Sequence, residues 1–334
     1  MDKLAIVILN WNGKALLERF LPSVMQFSAE ASVYVADNAS TDNSIAFLKE
    51  HYPTVKIVQN KENGGYAKGY NDALKHIDAE LFCLLNSDVE VTENWLKPIL
   101  HQFEKNKEVA IIQPKILDAK RKTHFEYAGA GGGYLDKLGY PFCRGRIFDT
   151  LEEDKGQYND TLDIFWASGA CLFIKKEAFE SLNGFDAQYF AHQEEIDLCW
   201  RAQNKGYSIK YVGSSTVYHL GGATLNEMNP KKTFLNFRNS LFSILKNLPL
   251  QKAVPILFIR LLLDAIAGIR FLLQFKFGHF WAIIRSHFSF YWYFPAMYQK
   301  RKNANYVLNY YRTKSIVWSY FVKQKKKFNI LVKD

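Results

Sequence analysis

The chain has 334 residues, 48% hydrophobic and 16% aromatic, enough for one large buried core and an appendage. Its net charge of +10 is unevenly spread: residues 231–334 hold 19 Lys and Arg against 2 Asp and Glu, residues 1–230 hold 24 against 31. A basic tail on an acidic body points to an anionic partner, phospholipid or nucleic acid, and Cys83, Cys143, Cys171 and Cys199, with no C-x-x-C spacing, argue against a disulfide framework or a zinc site and for reduced core thiols in the cytosol.

Met1-Asp2-Lys3 leads straight into a strand, so no signal peptide is expected. Leu4–Leu9 is an apolar run that stops at the loop Asn10-Trp11-Asn12-Gly13. Ala15–Gln26 has helical spacing, Val33–Ala36 is a short strand closed by Asp37-Asn38-Ala39-Ser40, and Asp42–His51 is a helix. Val55–Gln59, Tyr66–Ile77, Leu81–Leu85, Trp95–Asn106 and Val109–Gln113 continue the alternation of strand and helix, which predicts an α/β sheet, mostly parallel and flanked by helices. Sheets of that kind bind ligands beyond the carboxyl ends of their strands. Asp37 and Asp88 stand there: Asp37 can accept hydrogen bonds from a nucleoside or cap the next helix, and Asp88 can hold a hard cation or close a turn with Asn86 and Ser87. Between them, Asn63-Gly64-Gly65 opens a helix whose free N–H groups favour an anion, although neither G-x-G-x-x-G nor G-K-[ST] is present.

Residues 116–163 show no clear periodicity, and a long irregular stretch inside a domain is often functional. A strand follows over Ile164–Ile174, led by Trp166-Ala167-Ser168-Gly169-Ala170, and then a short helix around Lys176–Leu182. After Tyr189 and Phe190, the helix containing Glu194, Glu195 and Asp197 crowds three carboxylates into its first turn. Dipole complementarity accounts for one or two of them at under ~1 kcal/mol each. The two glutamates point about 100° apart, so one faces the crevice. Ser208–Val212 is a strand, and His219 closes the acidic body near Gly222, either as a structural residue or as a ligand.

Five segments occur in one order: Val7 to Gly13; Asp37 to Asp42; Asn63-Gly64-Gly65-Tyr66-Ala67 to Asn71; Leu85-Asn86-Ser87-Asp88; and Gly184-Phe185-Asp186 through Glu194-Glu195 to Arg201. In this the chain resembles the inverting family-2 glycosyltransferases of the GT-A, nucleotide-diphospho-sugar transferase fold, in particular their bacterial rhamnosyl- and galactofuranosyl-transferase-like branch, over about residues 1–245. The resemblance implies donor binding by Leu9, Asn10, Asn12, Asp37, Asn38, Gly65, Asn71, Asn86, Ser87, Asp88 and Arg238, with Arg238-Asn239 at the diphosphate. It implies an acceptor side at Trp166, Gly169 and Ala170, a divalent metal (Mn²⁺ or Mg²⁺) on Asp88 and His219, and a general base at Glu195, with Glu194 and Asp197 beside it. Asn86 replaces the first acid of the family's D-x-D pair, and Glu195 stands where relatives have Asp. Transfer from a nucleoside-diphosphate sugar to a glycan or lipid-linked hydroxyl is the expected reaction. The alternatives are a sugar nucleotidyltransferase, which usually carries a glycine-rich basic loop after its first strand, and a silent glycan- or nucleotide-binding membrane scaffold.

The tail forms a second unit from residue 231. Val254–Phe277 is apolar but broken by Arg260, Asp264, Arg270 and Lys276, so no stretch reaches the roughly 18 uncharged residues of a spanning helix. Aromatic runs beside Lys300-Arg301-Lys302 and Lys323 to Lys327 fit helices lying on an anionic membrane, on the inner face of the cell membrane, or else a packed extension that mediates an oligomer. Nucleic acid fits poorly, for no binding motif accompanies the charge.

Overall fold

A computed structural model describes residues 1–221, 229–301 and 305–331. Gly222 and Lys302, included in the readings above, lie outside the described residues. The first half alternates β1 (Asp2–Asn10), α1 (Lys14–Phe27), β2 (Ser32–Asp37), α2 (Ser44–His51), β3 (Lys56–Gln59), α3 (Gly65–Leu74) and β4 (Ala79–Asn86). The strands lie parallel in the order β3-β2-β1-β4. The apolar runs of β1 and β4 are explained by burial on both faces, whereas β3 is a partly exposed edge strand. Ala5, Val7, Phe82 and Leu84 join the core that includes Ala67, Tyr70 and Ala73 of α3. Leu4, Ile6, Ile8, Cys83 and Leu85, one residue out of step, join the core under Leu17, Leu21 and Val24 of α1.

Next come β5 (Val89–Val91), α4 (Leu96–Lys105) and β6 (Val109–Asp118), then β7 (Gly133–Asp136), β8 (Pro141–Cys143), β9 (Arg146–Ile147), β10 (Thr150–Leu151), β11 (Thr161–Asp163), β12 (Cys171–Lys175), α5 (Lys176–Ser181), α6 (Glu194–Asn204) and β13 (Ser208–His219). The sheet becomes mixed where β12 enters antiparallel between β4 and β6, with β13 parallel to β6 beyond it. The strand expected over Ile164–Ile174 is regular only at Cys171–Lys175, since a turn at Gly169–Ala170 separates it from Trp166, which bridges to Gly133 and donates its indole N–H to the Tyr134 carbonyl. The aperiodic stretch 116–163 holds most of a second, five-stranded sheet of two- to four-residue strands, too short for alternation to register.

The tail contributes α7 (Pro230–Asn247), α8 (Leu250–Leu273), α9 (Phe277–Gln299), β14 (Tyr311–Thr313) and α10 (Phe328–Leu331), and β14 closes the second sheet beside β7. Helix α7 is bolted to the preceding body by a buried charge lattice. Lys246 Nζ reaches Asp186 at 2.7 Å and Asp197 at 2.9 Å, while Arg201 (2.8 Å) and Asn247 (2.9 Å) also donate to Asp197. Burial works to raise Asp197, but Lys246 and Arg201 outweigh it and hold the carboxyl well below its usual 3.8. A depressed acid stabilises the fold above its unfolded pKa and loses that contribution as pH falls through lower values. Lys246→Met is expected to lower the unfolding free energy by roughly 3–5 kcal/mol in urea titrations at neutral pH. The deficit should narrow below about pH 4 as the unfolded chain takes up the proton.

Candidate active site

Register carries the polar strand ends to one edge of the sheet. Asn10 lies beside Asp37, and Leu9 beside Asn86. The buried Asn10 amide donates to Asp37 Oδ1 at 3.1 Å and to Ser40 Oγ at 3.2 Å, and Asp37 Oδ2 accepts from Ser40 N. Asn12 Oδ1 accepts from Thr41 N at 2.7 Å, joining the first two strand-end loops. Asn38 donates to the Gly65 carbonyl at 3.0 Å and ties both loops to the start of α3. Gly65 has φ +74°, and a Cβ there would meet the Phe190 carbonyl oxygen at 2.5 Å. That carbonyl accepts from Tyr66 N (2.8 Å) and Ala67 N (3.3 Å), so the anion cradle expected at this helix start is filled from within the chain.

On the same edge Asp88 is buried, with Oδ1 3.1 Å from His219 Nε2. Asn86 Nδ2 lies 3.3 Å from the same ring nitrogen. Behind the ring, His219 Nδ1 is 3.3 Å from Glu126 Oε2, and Glu126 is itself held by the Ala128 N–H. Burial alone would lower His219, but Glu126 and Asp88 raise it to about 10. Two acids facing one another here thus demand a positive charge between them. The donor set fits a divalent cation: neighbouring ligands on an octahedral ion sit about 3 Å apart, close to the Asp88–His219 separation, and Glu126 occupies the outer position that orients a metal-bound imidazole. Among the described residues no third His, Cys, Asp or Glu completes a closed cage. That suits an ion whose remaining ligands are phosphate oxygens and water.

The second acidic group opens α6. Phe190, His192 and Gln193, none of them glycine, have φ between 65° and 72°. Backbone strain of that kind, roughly 1–3 kcal/mol per residue, persists only where surroundings enforce it. Arg238 and Asn239 of α7 do so. The guanidinium donates to the Gln188 and Tyr189 carbonyls, and the amide to those of Tyr189, Ala191 and His192. Glu194 is buried and Glu195 half-buried, and each keeps one carboxylate oxygen with no hydrogen-bond partner. Burial, with Glu195 adjacent, drives Glu194 well above the usual range, and burial pushes Glu195 up to about 7.

The Gly169–Ala170 segment links the strand end before Asp88 to Tyr66. The Ala170 carbonyl accepts from Asn86 N, and the Gly169 carbonyl accepts from the Tyr66 hydroxyl at 2.8 Å. Tyr66 is raised by burial and then by Tyr70, Glu194 and Glu195. Cys143, pushed to about 11 by burial, has both Glu126 and Glu195 adding to the rise.

Four of the expected site residues are held by other parts of the structure. Asp197 is locked into the Lys246–Arg201–Asn247 lattice, with no oxygen facing the crevice chemistry. Asn71 spends both ends of its amide on the backbone of Phe185 and acts as a loop bracket. Trp166 is buried against Gly133, and Arg238 clamps the strained loop instead of reaching for a diphosphate. Glu126 was missed, for it sits in the aperiodic stretch, where a lone Glu between Phe125 and Tyr127 carries no spacing signal.

Likeness to solved structures gives the class: a GT-A glycosyltransferase architecture. The chain aligns over 87% of its length, and 87% of the other, with a mannosyltransferase from Pyrobaculum calidifontis solved with GDP-Man and Mn²⁺ (TM-score 0.54, 14% identity). It also aligns over 74% of its length with GalNAc-T7 solved with UDP, GalNAc and Mn²⁺, spanning 48% of that chain (TM-score 0.56, 16% identity). Residues 5–182 match the family model Glycosyl transferase family 2, more than half of the chain, and the protein belongs to that family: it is a glycosyltransferase. Among curated proteins it is 27% identical to the N-acetylglucosaminyl-diphospho-decaprenol L-rhamnosyltransferase of Mycobacterium tuberculosis (65% of this chain, 76% of the other). It is 22% identical to the rhamnosyltransferase WbbL of Escherichia coli K12 (64% and 82%).

Gly65→Ala tests the tight apposition of α3 and the strained loop. Positive φ and the Phe190 clash together should cost roughly 1–3 kcal/mol, read as a fall in the thermal midpoint.

Proposed function

We propose that this glycosyltransferase moves a sugar from a nucleoside-diphosphate donor to a hydroxyl of a glycan or lipid-linked acceptor, with inversion, at the inner face of a bacterial membrane. Use of a nucleotide-sugar donor in polysaccharide synthesis follows from the family and its rhamnosyltransferase relatives. The observation that carries the finer reading is the pair of glutamates opening α6, each with an orphaned oxygen. The other acidic group is the buried Asp88–His219 pair.

Roles divide by environment. Asp37, Asn10 and Asn38 line the nucleoside end, where Asp37 is already fixed by Asn10 and Ser40. Asp88 and His219 would hold the cation and Glu126 would orient the imidazole. When bound, the ion neutralises charge developing on the departing diphosphate. Glu195 is the better base of the two glutamates. It is half-buried and sits near working pH, where proton transfer is most effective. Glu194 is buried, and burial with Glu195 beside it raises its pKa, which favours its protonated form. Taking the acceptor proton as the hydroxyl attacks the anomeric carbon from the side opposite the diphosphate gives one displacement and hence inversion. A diphospho-lipid acceptor is supported by the name of the mycobacterial relative.

Glu195→Gln should reduce transfer by at least about 10²-fold while donor binding changes little, measured by turnover of a nucleotide-sugar panel and by calorimetry with UDP- and TDP-sugars. Full activity in that variant would remove Glu195 from the role. Because the base works deprotonated, turnover in the wild type should rise with pH and level off above about 7. Glu126→Gln should weaken Mn²⁺ binding roughly 10–100-fold without unfolding the protein, as followed by the manganese resonance signal in the presence of nucleoside diphosphate.

A further inference from the structure

The hairpin of α8 and α9 sets charged and polar groups among the apolar residues it buries, and leaves hydrocarbon outside. Its inward side carries charge and hydrogen-bonding groups. Arg260 is buried, donating to the Leu138 carbonyl and Ser240 Oγ and lying over the Tyr140 ring. Asp264 is buried 3.1 Å from His287 Nε2, and His279 meets Thr233 Oγ1 at 2.7 Å. The outward side is hydrocarbon. On α8, Phe258, Leu262, Ile266, Ile269 and Leu273 follow one another at steps of three and four, all more than half exposed and Leu273 at 77%. On α9, Trp281, Phe288 and Trp292 form a second stripe, with Trp292 at 81%, and Phe275 joins the two stripes at the corner. An exposed apolar face this extensive is a contact surface.

We propose that this face is a monotopic membrane anchor, which lies in the headgroup and upper acyl region of an anionic bilayer and holds the catalytic crevice over a lipid-linked acceptor. The inference rests on the membrane-face location proposed above and names the surface that produces it. Among the described residues no helix is long and apolar enough to cross a membrane, so the hairpin lies in the interface. Charge selects lipid over a second copy of the chain. Arg270 and Arg285 are exposed along the apolar stripes and Lys276 partly so, while the only acid in residues 250–299, Asp264, is buried. Pairing two such faces would bring two sets of cations into a water-poor interface with no acid to meet them. Phosphate headgroups supply that counter-charge, and long cationic side chains reach them while their stems stay with the hydrocarbon. Tryptophan prefers that same boundary.

The test is flotation of the full chain with vesicles of phosphatidylglycerol and phosphatidylethanolamine, at low and high salt, with vesicles of acyl-brominated lipid as a depth probe. The wild type should float, keep most of its binding at high salt and show quenched tryptophan fluorescence. Phe258→Gln/Ile266→Gln/Trp292→Gln should lower the bound fraction about tenfold or more while keeping its circular dichroism and elution volume. Arg270→Gln/Arg285→Gln should lose only the salt-sensitive part. Trp281→Phe/Trp292→Phe should still bind but lose the quenching. Protein that remains in the lipid-free fraction, or that salt releases completely without quenching, overturns the anchor. So does a wild-type dimer that the apolar triple variant splits into monomers. Donor turnover measured in detergent on the same samples separates the two readings: turnover without vesicle binding removes the anchor alone, and binding without turnover removes the proposed chemistry alone.

Discussion

The register of β1 between β2 and β4 is the constraint on which the site depends. Residues that are remote in number become neighbours because parallel strands end together, with Asn10 against Asp37 on one side and Leu9 against Asn86 on the other. A slip of one residue in either pairing would turn every side chain to the opposite face, exchanging the two cores and separating Asn10 from Asp37. The cores prevent this. Alternate residues of β1 and β4 are committed to different helix layers, so register is enforced by burial along the whole strand and delivered as geometry at its end.

Strain at the second acidic group is maintained from outside the sheet. The loop whose Phe190, His192 and Gln193 hold positive φ has its carbonyls engaged on every side: Phe190 O caps α3, Asn239 gathers the carbonyls of Tyr189, Ala191 and His192, and Gln193 O accepts from Asp197 N. Lys246, one helical stretch further along α7, neutralises Asp186 and Asp197 at the two ends of the same loop-and-helix unit. The orphaned oxygens of Glu194 and Glu195 survive beside these saturated groups. An unpaired buried carboxylate oxygen is costly, and these two lie on a loop and helix that also leave His192 Nε2 and Trp200 Nε1 without partners, so unmet polar demand collects around the glutamates.

The alternation of strands and helices was readable through most of the first half because short apolar runs, longest in β1 and β4, alternate with helical spacing, while the three-residue β5 went unread. The strand-end acids were readable because the runs stop abruptly at them. Assigning jobs to individual residues was less secure. Asp197, Asn71, Trp166 and Arg238 all belong to ordered motifs, yet their side chains serve the scaffold, since a motif marks where a residue falls and not which way its atoms point. Glu126 was invisible for the converse reason: its partner His219 lies 93 positions away and its own surroundings are aperiodic. The short strands of the second sheet, and the return of β14 to complete it, depend on long-range pairing that no local window contains.

The tail is fastened to the body that bears the glutamates, and α7 makes the connection. One face of this helix carries Arg238, Asn239 and Lys246 to the loop and helix that bear the glutamates. Ser240 and Thr233 on the same helix receive Arg260 of α8 and His279 of α9. The helix therefore has polar fastenings on both sides, and polar fastenings are directional where apolar packing tolerates sliding. The charges and hydrogen-bonding groups that the hairpin turns inward are thus not misplaced. They lock it to the residues that set Glu195, and the outer side is left free to be hydrocarbon. The inward polar groups of the hairpin and a strained acidic loop are two ends of one rigid connection: whatever fixes the outer face in space fixes the height and tilt of the crevice with it.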